Sequence, residues 1–177
     1  MGKREAYFFL MVKKYAPATI KNRDSILEVL EYTLPKNGLV LEIASGSGEH
    51  ATYFASRLKD LTWQPSEPSH ECRTSISSWA EETQNLNLLP PLDLNVLVNP
   101  WPIKYANAIV CINLIHIASW AVTKNLMSGA ARTLCMGGIL YLYGPFKIGG
   151  EHTANSNKHF DETLKKLTDI ANFKKKN

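Results

Sequence analysis

The chain has 177 residues, is 45% hydrophobic and carries a formal net charge of +4, which suits one domain with a full core and excludes a disordered or fibrous protein. Its three cysteines, Cys72, Cys111 and Cys135, are widely separated and form no C-x-x-C pair, which excludes a disulfide framework and a zinc site. The only dense basic run is Lys174 to Lys176, so nucleic acid is not expected as a partner and no metal is expected.

In "MGKREAYFFLMVKKYAP" the apolar stretch from Ala6 to Val12 is too short to span a bilayer. Residues 1–14 are therefore expected to be a disordered extension, with Met11 an alternative start, and residues 15–177 a single domain of a cytoplasmic protein away from membranes. A first helix is expected near Asn22 to Ser25, capped by Asp24 or Ser25, carrying Ile26, Val29 and Leu30 inward and stopping before Pro35. A strand follows over Leu39 to Ala44, then a helix from about Glu49 to Leu58. "LTWQPSEP" predicts a second strand ending near Glu67, and Ser69 to Thr83 a helix with Ile76, Trp79 and Ala80 on one face. "LLPPLDLN" predicts a weaker third strand ending at Asp93 to Asn95, its prolines suited to an edge.

"NAIVCINLIH" reads as a central fourth strand by length and by its Ile and Val content. Ser119 opens a helix to about Leu134 that "MGG" stops, and "GILYLYGPF" is a fifth strand. A last amphipathic helix places Phe160, Leu164, Leu167 and Ile170 on a single face. Strand followed by helix four times over means right-handed crossovers and a doubly wound, mostly parallel α/β sheet.

In such a sheet the ligand lies beyond the carboxyl ends of the strands, which puts the turn "SGSGEHA" at the centre of any site. Gly46 and Gly48 allow a tight bend and close approach of a ligand, and the next helix offers free N–H groups. Gly46, Gly48 and Ala51 also satisfy G-x-G-x-x-G/A, with Glu67 about twenty residues on to hold a ribose. Glu42 opposes the dinucleotide reading, because a carboxylate beside the loop repels a pyrophosphate. It favours a ligand with an ammonium or sulfonium group, as in S-adenosylmethionine. Three acids at successive strand ends suit a nucleoside across the tips: Glu42 toward the amino-acid end, Glu67 at the ribose and Asp93 near the adenine amino group.

From "APATIKNRDSILEVL" through "LVLEIASGSGEHATYFA", "WQPSEP", "CINLIHIASW" and "LYLYGPFKIGGEHTANSN", the sequence resembles the family known as domain of unknown function 938. These are class I S-adenosylmethionine-dependent methyltransferases by prediction, whose animal members are called methyltransferase-like protein 26. The resemblance covers about residues 15 to 161. It implies a Rossmann-like, seven-stranded fold, S-adenosylmethionine as cofactor, and cofactor contacts at Glu42, Gly46, Gly48, Glu67 and Asp93; Ser45, His50 and Asn113, at the same strand tips and loop, are further candidates for cofactor contact. It supplies no substrate; a small-molecule acceptor is expected.

Methyl transfer from a sulfonium is a direct displacement, so orientation supplies much of the rate and a base is optional. Asn113 and His116 at the end of the fourth strand are candidates beside the methyl group, with His116 a proton acceptor and Tyr143 lining the acceptor pocket. His50 follows the loop and faces either the ligand or the first helix. Asn22 and Arg23 are candidates for substrate binding, Arg23 for an anion. Asn155, Ser156 and Asn157 read mainly as turn formers, and "NPWP", Asn99 to Pro102, as a turn, since it precedes the fourth strand.

The implied sheet needs two strands beyond the fifth, and the residues after Phe146 hold no apolar run long enough for them. Five strands are therefore expected, in a chain that reads as C-terminally truncated with uncertain turnover. An exposed fifth strand would invite a homodimer. The competing readings are a non-catalytic nucleoside-binding domain and, with less support, a nicotinamide-dependent oxidoreductase.

Overall fold

The computed structural model describes residues 13–176, with side chains through Leu167. Residues 1–12, where the extension is expected, and the side chain of Ile170 lie outside the described residues. Lys13 is buried, and Lys14, though exposed, is tied to helix residues 70–83. Lys13 pairs with Glu82 and sits over the Trp79 ring, and the Lys14 amide donates to Ser75 Oγ at 2.8 Å.

Helix α1 spans Pro17–Thr33, opening well before the expected start at Asn22 to Ser25. The reason is local: Pro17 is preset for the first turn of a helix, and nothing from 18 to 25 interrupts it. Asp24 and Ser25 are therefore interior residues and not caps. Ile26 and Leu30 are buried as expected, whereas Val29 faces solvent. Strand β1 (Gly38–Ile43) leads into helix α2 (Glu49–Arg57), strand β2 (Leu61–Ser66) and helix α3 (His70–Thr83), whose Ser69 cap accepts from the Cys72 amide.

The third expected strand does not form a ladder. Residues 88–92 touch β2 through two isolated parallel bridges, Trp63 to Leu88 and Ser66 to Leu92. Pro90 and Pro91 lie between them and have no N–H to donate, so the pairing breaks there. Strand β3 (Ala106–Ile112) is shorter than "NAIVCINLIH" suggests. Asn113 turns into the left-handed region at φ 64°, which asparagine tolerates, and Leu114–Ile117 form a helical turn, α4. Helix α5 (Trp120–Thr133) runs directly into strand β4 (Leu134–Tyr143), so "MGG" lies inside the strand and does not stop the helix. A hairpin of two-residue strands, β5 (Lys147–Ile148) and β6 (Glu151–His152), has no counterpart among the expected elements. Helix α6 (Asn155–Lys176) begins with the trio expected to make a turn.

The main sheet thus has four parallel strands in the order β2-β1-β3-β4, one fewer than expected, with residues 88–92 taking an edge position beside β2. Two apolar layers cover it. Val40, Trp63, Ala108 and Val110 pack with α1 and α2 on one face; Leu41, Ile43 and Ile109 pack with Trp101 and α5 on the other. Continuous burial on both faces explains the apolar runs of residues 39–41 in β1 and 108–112 in β3. At the far side β4 pairs with β3 alone among the described residues, and its side chains are only half-buried or exposed. No helix among the described residues is long and apolar enough to cross a membrane.

Candidate active site

Parallel register fixes which residues meet at the carboxyl edge. Ile43 is level with Ser66 and with Cys111, and Ile112 is level with Tyr143. Ser45, Glu67, Asn113 and Tyr143 therefore emerge side by side, and the Asn113 amide donates to the Tyr143 carbonyl at 2.8 Å.

The chain leaves β1 through three residues of positive φ: Ala44 at 57°, Gly46 at 57° and Gly48 at 93°. The two glycines do different work. A Cβ on Gly46 would meet nothing within 4 Å, so this side of the turn is open to a ligand. A Cβ on Gly48 would lie 2.8 Å from Ile76 Cα, so that glycine serves the packing of α3. Glu67 closes the turn, its Oε2 accepting from the Gly46 amide at 3.1 Å and its Oε1 from the Ser69 amide at 3.2 Å.

Glu42 is not displayed to solvent. It is 2% exposed, and its Oε2 accepts from Trp63 Nε1 at 2.7 Å. Burial pushes its carboxyl up to about 7, against the hydrogen bonds from Trp63 and Ser45 that favour the anion. No lysine or arginine is paired with it among the described residues. The expectation of a full negative charge facing the crevice is thus corrected to a buried carboxyl poised between its two protonation states.

His50 turns toward α1. Its Nε2 lies 2.9 Å from Asn22 Oδ1 and its ring stacks on Phe54, while burial, and then the nearby Arg23 charge, push its pKa down to about 4. It is a neutral donor that ties α2 to α1. Arg23 lies over the Tyr53 ring with its Nε buried and without a hydrogen bond. Asn22, one position earlier, lines a cleft of 400 Å³ at the strand tips together with Asn113, Tyr143, Asn157 and Phe160. The structure thus places Asn22, Asn113 and Tyr143 along one cleft and leaves Arg23 outside that wall. His116, in α4, lines an adjoining cleft of 190 Å³, and its ring meets Phe146 edge-on at 4.5 Å. Burial lowers its pKa, so it is neutral at pH 7.

Three contributors escape the sequence pattern. Trp63 holds Glu42, and the one signal for it is an indole in a buried strand, whose N–H requires an acceptor. Arg73 spans the far side: it donates to the Glu67 and Pro68 carbonyls and pairs with Asp93 at 3.0 Å, so Asp93 is ion-paired while 69% exposed. Glu49 accepts from Ser47 Oγ at 3.0 Å and from the Ala16 amide, and Ser75 Oγ donates to the Ser47 carbonyl at 2.7 Å. Residues 14–16 are thereby strapped to the glycine turn.

The profile of the family described as Protein of unknown function (DUF938) matches residues 13–171. The chain belongs to that family. Solved structures similar to this DUF938 chain include the S-adenosylmethionine-dependent methyltransferase SibL in its apo form, with a TM-score of 0.68, 14% identity, and coverage of 82% of this chain and 41% of that one. Coclaurine N-methyltransferase bound to N-methylheliamine and S-adenosylhomocysteine (SAH) gives 0.58, 16%, 68% and 35%. The glycopeptide N-methyltransferase MtfA complexed with S-adenosylmethionine gives 0.59, 18%, 68% and 53%. At these identities the likeness is one of fold, that of a Rossmann-like methyltransferase. The DUF938 chain spans only 41%, 35% and 53% of the length of these three solved structures.

Proposed function

We propose that this chain is an S-adenosylmethionine-dependent methyltransferase acting on a small-molecule acceptor. The observation that carries the reading is the open side of the Gly46 turn lying directly against the Glu67 carboxylate. Such a turn leaves room for a ligand and places beside it an acceptor for ribose hydroxyls. When bound, the cofactor supplies an electrophilic methyl group on a sulfonium. Glu67 would hold the ribose, Asp93 with Arg73 would border the adenine, and Glu42, behind Ser45 and Gly46, forms a buried pole that ionises more readily beside a cation. Gly48 supports the turn by fitting α3, and His50 holds α1 in place over it.

The 400 Å³ cleft then takes the acceptor, with Asn113, Tyr143 and Asn22 as its polar wall. Holding acceptor and methyl group in line supplies the main acceleration. Neutral His116 accepts the proton where the acceptor carries one. Calorimetry with SAH and with NAD tests the reading: heat with SAH and none with NAD is expected, and the reverse overturns it. The open edge of β4 favours a second reading, a cofactor-binding domain without turnover. Transfer of a labelled methyl group from the cofactor to a metabolite extract separates the two. The same edge offers a surface for pairing two copies, and light scattering that finds only a monomer at high concentration would remove that proposal.

A further inference from the structure

The 190 Å³ cleft beside the acceptor cleft shares Pro145, Asn157 and Phe160 with it, so the two form one crevice of different chemistry. The first has a neutral amide and phenol wall. The second is lined by His116, Lys147, His152 and Asp161, with Phe146 as an apolar wall. Asp161 Oδ2 faces three cationic or potentially cationic groups: Lys165 Nζ at 3.0 Å, His152 Nε2 at 3.2 Å and Lys147 Nζ at 3.6 Å. One carboxylate serving three such partners leaves an excess of positive charge. Two imidazole nitrogens, His116 Nε2 and His152 Nδ1, are buried without a hydrogen-bond partner, and unmade bonds of buried polar groups are unfavourable. His116 has little freedom to turn, since a Cβ at Gly144 would overlap its ring.

We infer that this second cleft is an oxyanion subsite: the acceptor carries a carboxylate or phosphate held at Lys147 and His152, while its methyl-accepting atom lies beside Asn113 and Tyr143. The placement of that atom rests on the methyltransferase reading; the subsite does not. His152, its Nε2 3.2 Å from Asp161 Oδ2, offers its unpartnered Nδ1 to the oxyanion, and Lys147 adds a charge-assisted contact. His116 then stands on the wall between the subsite and the reacting end.

Imidazole NMR shifts of the whole chain, titrated with inorganic phosphate and separately with acetate at fixed pH and ionic strength against chloride, test this. A saturable shift at His152 and His116, with His50, His70 and His159 unmoved, is expected. Saturation at lower phosphate than acetate assigns a phosphorylated acceptor, and the reverse order a carboxylate. Lys147→Gln, at an exposed side chain, is expected to weaken the response about tenfold or more. Lys36→Gln, at the opposite end of the sheet, is expected to leave it unchanged. No saturable shift at His152, or equal shifts at all five histidines, overturns the subsite. SAH calorimetry on the same sample separates the two proposals. Cofactor heat without an anion response refutes the subsite alone, and an anion response without cofactor heat supports the subsite while refuting the methyltransferase reading.

Discussion

Replacing Glu42 with glutamine isolates the buried carboxyl from everything else at the strand tips. Its pKa rises from the ordinary 4.5 to about 7, first because burial disfavours the anion. The folded state therefore keeps a proton that the unfolded chain gives up. Between pH 4.5 and 7 the unfolded chain binds fewer protons at this position, so stability falls as pH rises. With about 1.4 kcal/mol for each tenfold difference in proton affinity, the loss is complete above pH 7 and amounts to about 3 kcal/mol. A glutamine side chain is nearly isosteric with the protonated acid and has no such dependence. His50 works in the opposite direction: its pKa is lowered to about 4, so the unfolded chain takes up its proton first and stability falls as pH drops from 6.5 to 4. The two slopes largely cancel in the native protein between pH 4.5 and 6.5, and Glu42→Gln uncovers the histidine.

Urea unfolding followed by tryptophan fluorescence, repeated from pH 4.5 to 8, reads both. The variant should match the native chain near pH 4.5 and exceed it by about 3 kcal/mol at pH 8. A difference that stays constant across that range would refute the assignment, because it would mean that Glu42 titrates alike in the folded and unfolded chains. The same variant probes the ligand. If S-adenosylmethionine binds near Glu42, its positive charge favours the anion, and binding at pH 7 releases part of a proton in the native chain and none in Glu42→Gln. Calorimetry in buffers of different ionisation enthalpy measures that release.

The two glycines of the turn should separate stability from binding. Gly48→Ala combines positive φ with a Cβ only 2.8 Å from Ile76 Cα and should lower stability by about 3 kcal/mol. Gly46→Ala adds only local strain of about 1 kcal/mol, yet should weaken SAH binding, read by unfolding and calorimetry on one sample. Burial, followed by the Glu42 charge, pushes the Cys111 thiol up to about 12, whereas Cys72 and Cys135 are partly exposed. A thiol reagent at pH 8 should therefore modify two cysteines in the native chain and a third only on unfolding.

What can be read from the sequence follows from the range over which each residue acts. The glycine turn, β1, β2 and the start of α3 depend on neighbours a few positions away, and each lies close to where pattern and turn chemistry place it. Asn113 and Tyr143 can be assigned to one edge because parallel strands end together. The start of α1 is misplaced because Asn22, Arg23 and Asp24 resemble a capping cluster. Their polar atoms instead serve tertiary partners: Asn22 meets His50, Arg23 lies on Tyr53, and Asp24 accepts from the Tyr53 hydroxyl. No local rule distinguishes those uses. The third strand fails for a subtler reason, since two consecutive prolines permit bridges at Leu88 and Leu92 but no ladder between them.

Glu42 shows how the same limit affects chemistry. A carboxylate at the end of an apolar strand reads as a charge aimed at a cation, an inference that needs only the residues around it. Its actual state is set by Trp63, two positions before its own cross-strand partner Pro65, and by the helices that exclude water above it. Burial makes the group a better discriminator than an exposed charge. An exposed carboxylate attracts any cation weakly through water, whereas a half-protonated one in a dry pocket discharges its proton only for a cation that reaches its immediate vicinity. On the proposed reading the open space at Gly46 therefore matters as much as the charge, because a ligand seated there would bring its positive end toward that buried pole.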